Sequence, residues 1–171
     1  MLVEQRLPPV ERWDPPDRGD SNIEIRADGS WWHQEGEIKR PALVRLFASI
    51  LRRDGDGSYW LVTPHEKQRV AVADLPFRAV EMLSEDAGKV RKLLFRLDSG
   101  ELVRAGAEHP LTFAQIGDAP RPALHVRGTI GQGLEARLTR SLYYELVDLA
   151  LADGEEPPAI WSDGTRFVMA A

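Results

Sequence analysis

Short runs of alternating apolar and polar residues, broken by Asp-Gly and Asp-Ser-Gly turns, recur along this chain and restrict it to a strand-rich fold. Alternation has the two-residue period of a half-buried strand, and Asp-Gly tolerates the positive φ angles that tight hairpins need. The first such run is IEIRADGSWWHQEG, where Ile23 and Ile25 alternate with Glu24 and Arg26 and two adjacent tryptophans follow the turn. A two-residue loop at Asp28-Gly29 sets Arg26 opposite Trp31, Ile25 opposite Trp32 and Glu24 opposite His33. That register predicts Trp32 in the core with Ile23 and Ile25. It sends Trp31 to the outer face with Arg26, Glu24 and His33, where a guanidinium can stack on the indole. This polar aromatic face is the candidate surface for a ligand or partner.

Farther on the period changes. In GEIKRPALVRLFASILRRDG, Pro41 suits a first helical turn, and Leu43, Phe47, Ile50 and Leu51 share a helical face. Arg52 and Arg53 complement the C-terminal dipole, and Asp54-Gly55 is the stop. SYWLVT reads as a strand, Thr63-Pro64-His65-Glu66 as a capping box opening a single helical turn, and QRVAVAD as another strand. Within QRVAVAD that strand covers 70–73, and further strands are predicted over 77–82, 91–97 and 101–105, then at ALHVR and LEARL. Thr139 caps a second helix, SLYYELVDLALADG, and AIWSDGTRFVM closes the chain as an Asp-Gly hairpin.

Laying Asp54-Gly55 on Asp153-Gly154 brings Leu43 onto Leu142, Phe47 onto Leu146 and Ile50 onto Leu149, and with a short gap Ile23 and Ile25 fall on Leu124 and Val126. The reading is an α+β tandem repeat of strands-helix-strands units, two main helices against mostly antiparallel sheet. Residues 1–20, rich in Pro8, Pro9, Pro15 and Pro16, form an extended arm anchored by Trp13. Residues 21–83 form the first repeat, 84–120 a β-hairpin connection, and 121–171 the second repeat, sharing one core with the first.

The run WWHQEGEIKRPALVRLFASILRRDGDGSYWLVTPHEKQRVAVADLPFRAVEM, with AEHPL further on, resembles a bacterial family known as domain of unknown function 1285, over about residues 20–170. The resemblance implies a cytoplasmic α+β protein with a repeated structural motif and a regulatory or signalling role without established catalysis. The chain has Val72-Ala73-Asp74-Leu75-Pro76-Phe77 where relatives carry an additional carboxylate, so a role for an acidic pair is not carried over.

Composition narrows the partners. A net charge of −5 argues against duplex nucleic acid, and no apolar run reaches the ~20 residues that span a bilayer. Absence of cysteine fits a reducing cytoplasm. His33, His65, His109 and His125 fall at no metal-ligand spacing, so no metal and no cofactor are expected. The Gly128–Gly133 run lacks the Lys-Ser or Lys-Thr of a phosphate loop and reads as a connection. Without a nucleophile motif, a non-catalytic binding module is the leading expectation. The alternative is an enzyme for an anionic substrate, with Lys39, Arg40 and Arg69 as anion holders and His65 with Glu66 as acid and base. Arg40, Arg45, Arg52 and Arg53 on the first helix against Glu145, Asp148 and Asp153 on the second suggest a salt-sensitive homodimer.

Overall fold

The computed structural model describes residues 6–169. The chain divides into two compact units, one ending at Asp74 and the other beginning at Leu75. The first contains β1 (Asp17–Ile25), β2 (Trp31–His33), β3 (Gly36–Glu37), α1 (Pro41–Ser49), β4 (Leu51–Arg53), β5 (Tyr59–Val62) and β6 (Lys67–Val72). The second contains β7 (Phe77–Glu85), β8 (Lys92–Leu97), β9 (Leu102–Arg104), β10 (Leu111–Ile116), β11 (Ala119–Arg127), β12 (Leu134–Leu138), α2 (Arg140–Asp153), β13 (Ala159–Ser162) and β14 (Thr165–Val168). No helix is long and apolar enough to cross a membrane among the described residues.

Both units use one sheet plan. In the first the order is β3-β2-β1-β6-β5-β4, and in the second β10-β11-β12-β7-β8-β9. Each sheet is a pair of three-stranded antiparallel meanders whose first and last strands meet in parallel at the centre, β1 with β6 and β7 with β12. The tandem α+β repeat is therefore present, but its alignment differs from the one read in sequence. Strand β1 corresponds to β7, not to the ALHVR strand, and α1 sits between the meanders whereas α2 follows both. Residues 84–120 supply β8, β9 and β10 of the second sheet in place of a hairpin connection. The residues of the N-terminal arm from Arg6 onward are built into the first unit: Val10–Arg12 form a 3-10 turn, Val10 is buried, and β1 begins at Asp17. Residues 1–5 lie outside the described residues.

Helix α1 ends earlier than expected. Ile50 N–H bonds the Phe47 carbonyl, Ser49 Oγ donates to the Leu46 carbonyl, and 51–53 turn away to pair with 59–61. Arg52 and Arg53 are consequently strand residues. Leu43, Phe47 and Ile50 are half-buried, as is Leu149, while Leu142 and Leu146 are fully buried. Between Val62 and Lys67 there is no helical turn: Thr63 accepts from the N–H groups of His65 and Glu66 and closes a four-residue connection. Helix α2 follows the local signals, with Thr139 accepting from Leu142 N–H and Gly154 in the left-handed conformation at its end. Asp153, placed unfavourably in the last turn of a helix, is offset by bidentate pairing with buried Arg91 at 2.6 and 3.1 Å. The β13–β14 hairpin is attached by buried Ser162, which accepts from Leu93 N–H and donates to the Ala105 carbonyl.

The tryptophan hairpin is shifted by one residue from the sequence reading. Its strands close at Arg26 and Ser30 around Ala27, Asp28 and Gly29, with Gly29 at φ 88°. This is a three-residue loop ending in a left-handed glycine. Ile25 now faces Trp31, Glu24 faces Trp32 and Ile23 faces His33. Trp31 is the core tryptophan, 4% exposed and stacked on Phe47 of α1 with ring centroids 6.4 Å apart. Trp32 lies half-buried on the outer face. We expect Trp31→Ala to cost about 3–5 kcal/mol through lost burial and a residual cavity, and Trp32→Ala about 1 kcal/mol. Denaturant titration of both variants checks this, and a reversed order would contradict the register.

Candidate functional site

Strand pairing sorts the first sheet into two faces. Trp32 pairs with Glu24, Glu24 with Ala71, Arg69 with Trp60 and Trp60 with Arg52, so all six share the face opposite Trp31. Two tryptophans on this face are held identically. In the hairpin after β1, Asp28 accepts from the N–H and hydroxyl of Ser30, and Ser30 Oγ accepts the Trp32 indole N–H at 2.9 Å. In the β4–β5 hairpin, Asp56 accepts from the N–H and hydroxyl of Ser58, and Ser58 Oγ accepts the Trp60 indole N–H at 2.7 Å. The second loop also closes on three residues, between Asp54 and Ser58, with Gly57 at φ 88°. The hydrogen bonds from Ser58 hold the Asp56 carboxyl below its usual range.

Each hairpin adds an arginine whose Nε is bound to a carboxylate two residues away, Arg26 to Glu24 and Arg52 to Asp54. The order of the two charges is reversed between the copies. Around Trp32 the pair is half exposed and the Arg26 guanidinium lies 3.7 Å from the ring centroid. Around Trp60 the cations over the ring are Lys67 at 4.2 Å and Arg69 at 4.9 Å. Lys67 also reaches the second oxygen of Asp54 at 3.0 Å. Arg52 Nη1 donates to the carbonyls of Val10 and Trp13, and Val10 and Trp13 pack against Trp60 and Val62. One tryptophan platform is thus covered by the N-terminal segment, whereas Trp32 has no such cover among the described residues and stays half-buried beneath Arg26.

The structure brings Glu24 and Arg26 together as expected, but with Trp32 in place of Trp31. His33 is exposed and faces the side of Ile23, away from that pair. Arg69 stacks on Trp60. Lys39, Arg40, His65 and Glu66 are exposed, and their side chains have no hydrogen-bond or ionic partner among the described residues. Arg40 precedes α1, while His65 and Glu66 stand in the connection before β6. The charge contrast between helices is also smaller than expected: Arg52 and Arg53 belong to β4, and Asp153 is paired with Arg91. Sequence reasoning missed Trp60, Ser58 and Arg52. The signal was the duplicated pattern Asp-Gly-Ser-aromatic-Trp at Asp28 and Asp56.

A second polar cluster lies in the second unit. His125 is 5% exposed, its Nε2 lies 3.0 Å from the Gly128 carbonyl and its Nδ1 has no partner. Nε2 must therefore donate. His109 Nδ1 bonds the His125 carbonyl at 3.1 Å, and the two rings stack at 6.4 Å. Gly133 closes the loop so tightly that a Cβ there would stand 2.1 Å from the Arg127 carbonyl oxygen. The 128–133 run is thus an exposed turn whose two ends, the Gly128 carbonyl and buried Gly133, close against the His125 imidazole.

Together these features define a two-unit α+β protein built on duplicated six-stranded sheets, with an aromatic-cation face on the first. Residues 8–75 match the model of the DUF1285 N-terminal domain, described as a domain of unknown function, and residues 76–169 match the C-terminal domain of the same family. The chain belongs to the DUF1285 family. A DUF1285 family protein from Silicibacter pomeroyi DSS-3 is 38% identical, with a TM-score of 0.84 over 98% of this chain and 89% of that one. Another from Shewanella baltica OS155 is 28% identical, with a TM-score of 0.58 over 78% of this chain and 96% of that one. No curated protein matches the chain.

Burial lowers the His125 pKa from 6.5 and outweighs the opposing hydrogen bond to the Gly128 carbonyl, while His109 lowers it and Glu135 raises it by smaller amounts. The unfolded chain then binds the proton more readily than the folded one. Stability from this group is complete above the unfolded value and is lost as pH falls through the folded one. We expect wild type to lose stability between about pH 7.5 and about pH 5, and His125→Gln to lose less. Urea unfolding at both pH values measures the difference; equal slopes would remove His125 as the source.

Proposed function

We propose that this protein is a non-catalytic binding module and that its partner surface is the open part of the outer sheet face, formed by Trp32, Arg26 and Glu24. The observation that carries this reading is the pairing of roles in adjacent tryptophans. Trp31 fills the core, whereas Trp32 is half-buried and does no comparable packing. Even so, Trp32 is fixed at both ends, its N–H on Ser30 and its ring beneath Arg26. A rigid amphipathic side chain with a guanidinium beside it is the composition that anchors protein interfaces, because little conformational entropy remains to be lost on binding.

The exposed Glu24–Arg26 pair does little for folding, since ion pairs in water contribute about 0–1 kcal/mol. Regulation or signal transduction in the cytoplasm is the setting we propose for such a module. The test is affinity capture from native lysate with wild type, Trp32→Ala and Arg26→Gln. We expect both variants to retain less of the captured partner by about tenfold, equivalent to ~1.4 kcal/mol, while unfolding midpoints stay close to wild type. Equal capture by all three would refute the surface.

A further inference from the structure

The covered tryptophan platform indicates what the other is built to take. In the Trp60 hairpin the occupant belongs to the chain itself. It is the segment 8–16, with Pro8-Pro9 before and Pro15-Pro16 after a 3-10 turn that presents Val10 and Trp13, three residues apart. Val10 and Trp13 pack with the Trp60 indole, and their carbonyls accept from Arg52 Nη1 at 2.9 and 2.6 Å. The Arg52 Nε is committed to Asp54, which aims the guanidinium and leaves its terminal amine for main-chain carbonyls.

The Trp32 hairpin repeats the loop of this arrangement with the charged pair exchanged: Glu24 stands opposite Trp32 where Arg52 stands opposite Trp60, and Arg26, in the place of Asp54, lies over the ring. The loop length, the left-handed glycine, the aspartate-serine clamp and the indole hydrogen bond are the same. Arg26 Nε is committed to Glu24, and its terminal amines have no partner among the described residues. Prolines on either side of a docking segment restrict the unbound peptide and so reduce the entropy lost on binding.

We propose that the Trp32 hairpin docks a proline-flanked peptide segment of a partner protein, one that places an aliphatic and an aromatic side chain three residues apart on the indole and offers main-chain carbonyls to Arg26. This rests on the reading that the Trp32 face is the partner surface, and it specifies the partner's chemistry. The chain's own segment 8–16 acts as an internal stand-in at the twin platform. Because it is tethered beside Trp60, it outcompetes free peptide there, which leaves Trp32 as the accessible platform.

The probe is a synthetic peptide with the sequence of residues 6–17, RLPPVERWDPPD, titrated into the full-length 15N-labelled protein while the tryptophan indole N–H signals are followed. The expected result is a saturable shift of the Trp32 signal, with affinity reduced about tenfold or more in Arg26→Gln and by a peptide whose four prolines are serine. No saturable shift, equal affinity for Arg26→Gln, or a response confined to Trp60 would overturn the proposal. The lysate capture separates the two readings. If the peptide fails but capture still depends on Trp32, the peptide class is wrong and the surface stands; if capture is also independent of Trp32, both fall.

Discussion

Two glycines held at φ 88°, Gly29 and Gly57, fix which side chains of the first unit face which way. Each ends a three-residue hairpin loop, and because strand side chains alternate, one residue more or less in that loop would exchange the two faces completely. A Cβ at either position would carry the left-handed strain that glycine avoids. With three residues, Trp31 enters the core beneath Phe47, and Trp32 and Trp60 come to the same outer face beside arginine and lysine side chains. The serine and aspartate around each glycine reinforce this choice, since the carboxylate closes the loop and the serine hydroxyl passes the constraint on to the indole. Loop chemistry and surface chemistry are therefore one hydrogen-bonded chain of events.

Arg52 shows how the same face accommodates charge near the interior. Burying a guanidinium is costly unless its donors are satisfied, and here Nε meets Asp54 while Nη1 meets two main-chain carbonyls. Those carbonyls belong to a proline-rich stretch in which the Val10 carbonyl also accepts the Trp13 N–H and the Pro16 carbonyl accepts the Lys67 N–H. These bonds to Arg52, together with the packing of Val10 and Trp13, hold the proline-flanked segment against Trp60.

What was legible in the sequence was local. Thr139 and Gly154 delimited α2 because a cap and a left-handed stop act within one turn. Asp163-Gly164 formed the expected two-residue loop, with both residues at positive φ. Asp28-Gly29 did not, because the same dipeptide also serves a longer loop, and the discriminating contact is the Ser30 hydroxyl on Asp28. The end of α1 was overrun because Leu51 continues the helical apolar period by coincidence over a strand of only three residues. The repeat was detected but misaligned: any two amphipathic helices match by periodicity, whereas the real correspondence of β1 with β7 is expressed in pairings between distant strands. The second platform at Trp60 was written in the chain as a repeated pentapeptide, yet its covering segment follows from geometry alone.

The central parallel pair in each sheet sets a schedule for chain synthesis. Asp17 must wait for Lys67, and Phe77 for Ala136, before either sheet closes at its middle. Contacts this distant in sequence make folding slow, because loop closure is paid for in entropy before any pairing rewards it. Until the last strand of a unit emerges from the ribosome, β1 or β7 presents an unpaired edge next to a finished meander. The first unit completes its sheet while the second is still being translated, so the order of the two units along the chain is also the order in which their exposed edges disappear.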